Sequence, residues 1–191
     1  LLYCLNITDL SAFINIDDLS IYECTNIRDI SVLRNNRKVK IEFCHNITNI
    51  SSLTNVLDLT IDNCRITNED LNALGNINTL SLRNCSNITD ISSLVNVNNL
   101  TIHHCNYISD FSVLRDNHTV KIKHYWNKIN IRELGNVYDL TIDDCSITNE
   151  DLYRLGNVNT LSLRNCRHIT DISSLVNVNN LTIDNCRHIM S

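Results

Sequence analysis

Nine cysteines fall at positions 4, 24, 44, 64, 85, 105, 145, 166 and 186, a spacing of 20 or 21 residues interrupted once, near position 125, where Tyr125 stands. A period this short over the whole chain restricts the fold severely. Twenty residues carry too few inward apolar side chains to offset the entropy lost in ordering them, so each unit must borrow an interior from its neighbours by stacking. Aligning on the anchors yields ten coils. Before each anchor an apolar residue recurs at five and at three places upstream, as with Leu59 and Ile61 before Cys64, which is the period of two expected of a short strand. After it the apolar residues recur every third place, as in Cys85, Ile88, Ile91, Leu94 and Val97, which implies a tight 3₁₀-like return on the opposite side. Each coil is therefore a strand, a turn and a return.

The stretch LSLRNCSNITDISSLVNVNNLTI, Leu80 to Ile102, reappears at Leu161 to Ile183 with only Ser86 replaced by Arg167 and Asn87 by His168. Two coils are 21 residues long and carry the same insertion, CRITNEDLNALGN from Cys64 and CSITNEDLYRLGN from Cys145. Thr67 with Asp70, and Thr148 with Asp151, have the spacing of a capping box, so these two coils should contain a true helical turn. Gly75 and Gly156 follow, where a left-handed helix terminus would need glycine. The lengths 20, 20, 20 and 21 define a four-coil block repeated every 81 residues. The chain has no proline and three glycines, which leaves no linker, and residues 1–191 read as a single repeat domain.

The motif L-x-I-x-x-C, as in LTIDNC at Leu59 to Cys64 and again at Leu181 to Cys186, followed by ITDISSL, resembles the leucine-rich repeat family over the whole chain. The cysteine with a following ITD is similar to the repeats of F-box adaptor proteins, and ITDISSL with Asn-Val is similar to bacterial internalin repeats. The resemblance implies an α/β fold: a right-handed solenoid or horseshoe of about ten coils, with a parallel sheet on its concave side and short 3₁₀ or helical turns on its convex side. It also implies recognition rather than catalysis. The chain starts inside a coil at Leu1 without a polar cap at either end, which suggests a fragment of a longer array, or ends covered by further repeats or another chain.

Equivalent positions of a solenoid stack in files. The cysteines should form an inner ladder in which each thiol acts as a small apolar side chain and weak donor. No C-x-x-C pair occurs to suggest zinc, and nine equivalent rungs offer no preferred disulfide partner, so a reducing, cytoplasmic setting is expected. Asparagine forms a second file at 15, 35, 55, 76, 96, 136, 157 and 177, with Asp116 on the remaining rung, suited to satisfying backbone groups where the chain turns back toward the sheet.

The residues between the buried strand positions are the least repetitive, and they face the concave side. They supply the candidate contact surface: Tyr22, Lys40, Glu42, Asp62, Arg83, His103, Lys121, Lys123, Asp143 and Arg164. The seventh coil, VKIKHYWNKINIREL, departs furthest from the pattern, and its Lys121, Lys123, His124, Tyr125 and Trp126 join His103 and His104 of the preceding coil in the leading patch, because aromatic and basic side chains concentrate at interface hot spots. Tyr125 and Trp126 equally suit a plug for the missing ladder cysteine. Alternating charge on this face and a net charge of −5 fit a protein partner and not a nucleic acid. Apolar runs are too short to cross a membrane, and no membrane association is expected. His103, His104 and His124 come near one another across adjacent strands, yet spacing identifies no carboxylate to orient them, so no metal, cofactor or catalytic residue is expected. A structural scaffold within a larger assembly and a secreted internalin-like adhesin are the other readings.

Overall fold

A computed structural model of the chain describes residues 1–189. Nine five-residue strands form one parallel sheet in sequence order: β1 (Asp18–Tyr22), β2 (Lys38–Glu42), β3 (Asp58–Asp62), β4 (Thr79–Arg83), β5 (Asn99–His103), β6 (Thr119–Lys123), β7 (Asp139–Asp143), β8 (Thr160–Arg164) and β9 (Asn180–Asp184). A parallel bridge from Leu2 to Tyr22 adds a rudimentary tenth rung. Each strand pairs only with its neighbours and without register slip, Leu59 beside Leu80 and Ile61 beside Leu82. One-residue slips would carry the apolar set out of the interior, so alternation locks the register.

The two inward residues of β1 to β8, such as Leu100 and Ile102, are closed to solvent, and the returns add Ile88, Ile91 and Leu94 to the same continuous core, while Leu181 of β9 at the end of the stack is exposed. Most returns are one 3₁₀ turn, for example Ser92–Leu94. Asp90 starts this turn by accepting the Ser92 amide at 2.8 Å, and Asp9, Asp29, Asp110 and Asp171 do the same for the serines two places on. The two longer coils carry helices α1 (Asn68–Leu74) and α2 (Asn149–Leu152), both with the capping box complete. In each, the Asp carboxylate accepts the Thr amide at 2.9 Å.

The glycines follow a different rule from the one the sequence suggests. Gly75 has φ of −62°, in the ordinary right-handed region, and no glycine has positive φ among the described residues. What demands glycine is the approach of the next coil: a Cβ on Gly75 would lie 2.3 Å from the Ser93 carbonyl oxygen, and one on Gly156 2.9 Å from that of Ser174.

The cysteine ladder is present. All nine thiols are free, those from Cys24 to Cys166 are buried, and Cys4 and Cys186 at the ends are half-buried. From Cys44 to Cys166 each thiol lies over two carbonyls, as Cys64 does over Asp62 at 3.3 Å and Ile41 of the preceding coil at 3.7 Å, whereas Cys24 has Tyr22 alone. Burial pushes Cys64 and Cys166 up to about 12 and Cys145 up to about 11.

A ladder bond is present in the asparagine file, Asn55 donating to Asn35 at 3.0 Å, and a second column two places later bonds Asn179 to Asn159 at 2.8 Å. The file at 15, 35, 55, 76, 96, 116, 136, 157 and 177 is solvent-exposed throughout, however, so it does not serve the buried turn. Among the described residues, that task falls one place later, in two coils. Asn36 donates to Phe13 and Ile16, and Asn117 to Leu94 and Val97, in each case to carbonyls of the preceding coil.

Candidate functional site

Strand alternation leaves the third and fifth residue of each strand on the open face. The fifth-place row runs Tyr22, Glu42, Asp62, Arg83, His103, Lys123, Asp143, Arg164 and Asp184, each paired with the next in register. A basic centre, Arg83 to Lys123, is thus flanked by acids on one side and mixed charge on the other. The third-place row is mostly Ser and Thr, with Lys40 and Lys121 added. Lys40 is held by Glu42 at 2.9 Å, while Arg83 and Arg164 each donate from Nε to the serine two places back at 3.2 Å. These bonds lay the long side chains along the sheet and so cut the entropy they would lose on binding a partner.

The sequence analysis named His104 and His124 but did not read the residue after each strand as a column, and the site depends on that column. Tyr3, Glu23, Phe43, Asn63, Asn84, His104, His124, Asp144, Asn165 and Asn185 all have φ between 47° and 54°, in the left-handed region. This conformation costs a non-glycine residue on the order of 1 kcal/mol. It persists because it turns the chain inward to bury the next cysteine while its amide extends the ladder, as His104 does to the Lys123 carbonyl at 3.2 Å and His124 to that of Asp143 at 2.8 Å. Side chains of this column stand beside the fifth-place row. They bond along it: Asn84 to Asp62 and Asn165 to Asp143, both at 2.7 Å.

Three histidines meet where the two columns adjoin. The ring centres of His103 and His104 are 4.8 Å apart, those of His103 and His124 4.9 Å, and those of His104 and His124 5.0 Å with planes 14° from parallel. One nitrogen of each lies within 4.8 Å of the others. Asp144, which the sequence reading missed, accepts from His124 Nδ1 at 2.9 Å. Reading the column one place before the anchors as a file would have put Asp144 next to His124. Burial, then the charges of His104, His124 and Arg83, holds His103 below the usual imidazole range, against a partial counter-effect from Asp62. Trp126 is 64% exposed, and its indole stands edge-on to His104 at 4.9 Å.

Of the residues read as a contact patch, His103, His104, His124 and Trp126 come together, with Lys121 and Lys123 on the strand that His124 follows. Tyr22 lies far off at the first strand, in a separate aromatic stack with Tyr3 and Phe43, 5.3 Å from each. Tyr125 is not a contact residue. Only 2% exposed, it fills the missing rung, packs on Phe111 at 5.2 Å and donates its hydroxyl to the Ile108 carbonyl. The rung is a plug because the ring enters the space a cysteine occupies in the other coils. Trp126, by contrast, leaves the core.

No family model matches the chain, and no curated protein does. Among solved structures, the internalin InlF of Listeria monocytogenes matches 94% of this chain with a TM-score of 0.58 and 24% identity. The fold is a leucine-rich-repeat solenoid. The chain spans 58% of that internalin's length. A second internalin of the same species, InlC2, matches 70% of this chain and 74% of its own at 18% identity with a TM-score of 0.41. The functional domain of InlJ from L. monocytogenes, whose description includes a cysteine ladder, matches 92% of this chain and 55% of its own at 16% identity with a TM-score of 0.32. In leucine-rich-repeat terms, the columns that stack are those filled by Leu, Ile and Cys, and the columns that face solvent are those that differ between coils.

Proposed function

We propose that this solenoid is a non-enzymatic recognition module that binds a protein partner on its open sheet face, centred on His103, Lys123 and Trp126. The observation that carries the reading is the contrast between columns. Inward columns repeat Leu, Ile and Cys with little change, whereas the fifth-place outward column changes its side chain from each coil to the next, through Tyr22, Glu42, Asp62, Arg83, His103 and Lys123. A rigid sheet holding such side chains loses little conformational freedom on binding, and the indole with neighbouring basic groups has the composition of an interface hot spot. The mixture of signs favours a protein surface over a phosphate backbone. Among the described residues, no helix is long and apolar enough to cross a membrane.

Substituting His103, Lys123 and Trp126 together by alanine should abolish capture of the partner that the unaltered chain retrieves from lysate, with the fold retained by circular dichroism. Unchanged capture of every partner would remove the patch from the proposal. The same reading places the chain in a reducing compartment, since nine free thiols at equivalent rungs fit no oxidative pairing scheme. Thiol titration of natively produced, then denatured, protein should therefore recover all nine.

A further inference from the structure

We infer that His103, His104 and His124 form a three-nitrogen site for a divalent transition metal of the zinc, cobalt and nickel class, with Asp144 as its positioning carboxylate. Three imidazoles on two successive coils are brought together by two backbone features: the strand end that presents His103, and the left-handed turns that present His104 and His124 beside it. Their donor atoms already lie within 4.8 Å of one another. Around a tetrahedral ion with bonds of about 2.0 Å, donor atoms stand roughly 3.3 Å apart, so the rings must rotate to draw their nitrogens closer before they share an ion.

The His124–Asp144 bond decides which nitrogen is free. A carboxylate accepting at Nδ1 keeps the proton there and leaves the Nε2 lone pair available, which is the arrangement that orients metal-bound imidazoles and raises their basicity. With His124 so anchored and the His104 ring nearly parallel to it, His104 is the ring that must turn to share an ion. Trp126 rests edge-on against that ring, and it is the sole tryptophan of the chain.

The metal class follows from the donors. An all-imidazole set suits zinc, cobalt, nickel and copper, whereas calcium and magnesium require oxygen ligands that the cluster does not offer. Arg83 and Lys123, the strand neighbours of His103, strengthen this discrimination by opposing any cation held by charge alone. Three protein nitrogens leave a fourth position open on the sheet side. The site lies within the proposed recognition patch but does not depend on it, since it requires no partner.

Cobalt(II) is a suitable probe, because it quenches a nearby indole and its visible spectrum separates nitrogen from thiolate ligation. Titrated into the full 191-residue chain under reducing conditions, it should quench Trp126 and produce d–d absorption without a thiolate charge-transfer band, and zinc should reverse both. His103→Gln and His124→Gln should each raise the half-quenching concentration by at least about tenfold, and Asp144→Asn by about 10- to 100-fold, with Asp144→Glu restoring part of the loss. His45→Gln, an exposed histidine three coils away, should change nothing. Equal quenching in wild type and in both histidine variants would overturn the site, as would a thiolate band that survives in them. An unaltered titration in Asp144→Asn would overturn the positioning role of the carboxylate.

Discussion

The two four-coil blocks, related by a shift of 81 residues, agree in framework almost contact for contact. Thr67 and Thr148 take the same caps, Arg83 and Arg164 the same serine bonds, and Asn84 and Asn165 the same aspartate bonds, each pair matching in length to a tenth of an ångström. They part company most at the strand ends of two successive coils. Where the first block has Tyr22, Glu23, Phe43, Cys44 and His45, the second has His103, His104, His124, Tyr125 and Trp126. An aromatic stack has become an imidazole cluster on an unchanged scaffold. Stacking constrains only the inward columns, because coils touch only their neighbours, so the two columns at the strand end are free to acquire chemistry without refolding anything.

The sharpest way to break this comparison is at Tyr125, which replaces Cys44 and fills the rung of the cysteine ladder. Tyr125→Ala removes a buried ring and should cost about 3–5 kcal/mol in urea unfolding. Tyr125→Phe keeps the ring but orphans the Ile108 carbonyl, and should cost about 1–3 kcal/mol. Equal losses from both would mean that the hydrogen bond, and not the ring, closes the rung. The glycines come next. Gly75→Ala forces a Cβ against a backbone carbonyl and should cost about 1–3 kcal/mol. Gly156→Ala, its counterpart with a separation of 2.9 Å against 2.3 Å, should cost less. Reversed order would show that the right-handed turns themselves, rather than the coil-to-coil approach, select glycine.

The ladder thiols supply a pH test. In the folded chain Cys64 ionises at about 12 and its counterpart Cys145 at about 11, against roughly 8.5 when unfolded. Their contribution is therefore complete below about pH 8.5 and falls as pH rises toward the folded values, because the unfolded chain releases protons that the folded chain retains. Each thiol should lower stability by about 1.4 kcal/mol over a pH unit within that window. Cys64→Ala and Cys145→Ala should each flatten the alkaline slope, Cys145 over the narrower range. Slopes unaffected by either substitution would mean that the ladder is not shielded from water.

What could be read in advance tracks how often a column repeats. The inward Leu, Ile and Cys columns recur on nearly every coil with one kind of side chain, so period alone identifies strand, return and interior. The left-handed column recurs as often but is filled by Tyr, Glu, Phe, Asn, His and Asp, which share no chemistry. Its geometry is imposed by the ladder amide, and that lies in the backbone. Asn36 and Asn117 were overlooked for the opposite reason: their rung holds Val or Ile in most other coils, and only the block period of 81 residues picks them out. The histidine cluster was partly legible, since adjacency of strands brings His103 and His124 together, but Asp144 needed the neighbouring column to be read as a file.

The smallest expected effect concerns the two capped helices, where the blocks differ by a single partner. Thr67→Ala and Thr148→Ala each remove a cap and should each cost about 1 kcal/mol. In the second block Arg132 adds an ion pair, with Nη2 3.2 Å from Glu150 and Nε 3.7 Å from Asp151, where the first block has Ser51. Arg132 and Glu150 are largely in water, so the pair should contribute no more than about 1 kcal/mol and fade with added salt. Arg132→Ser, which copies the first block, should therefore cost less than Thr148→Ala and lose its effect at high ionic strength. An arginine effect larger than the threonine effect, and indifferent to salt, would mean that α2 is organised from the preceding coil and not by its own cap, and that the two blocks differ in how they fold as well as in what they display.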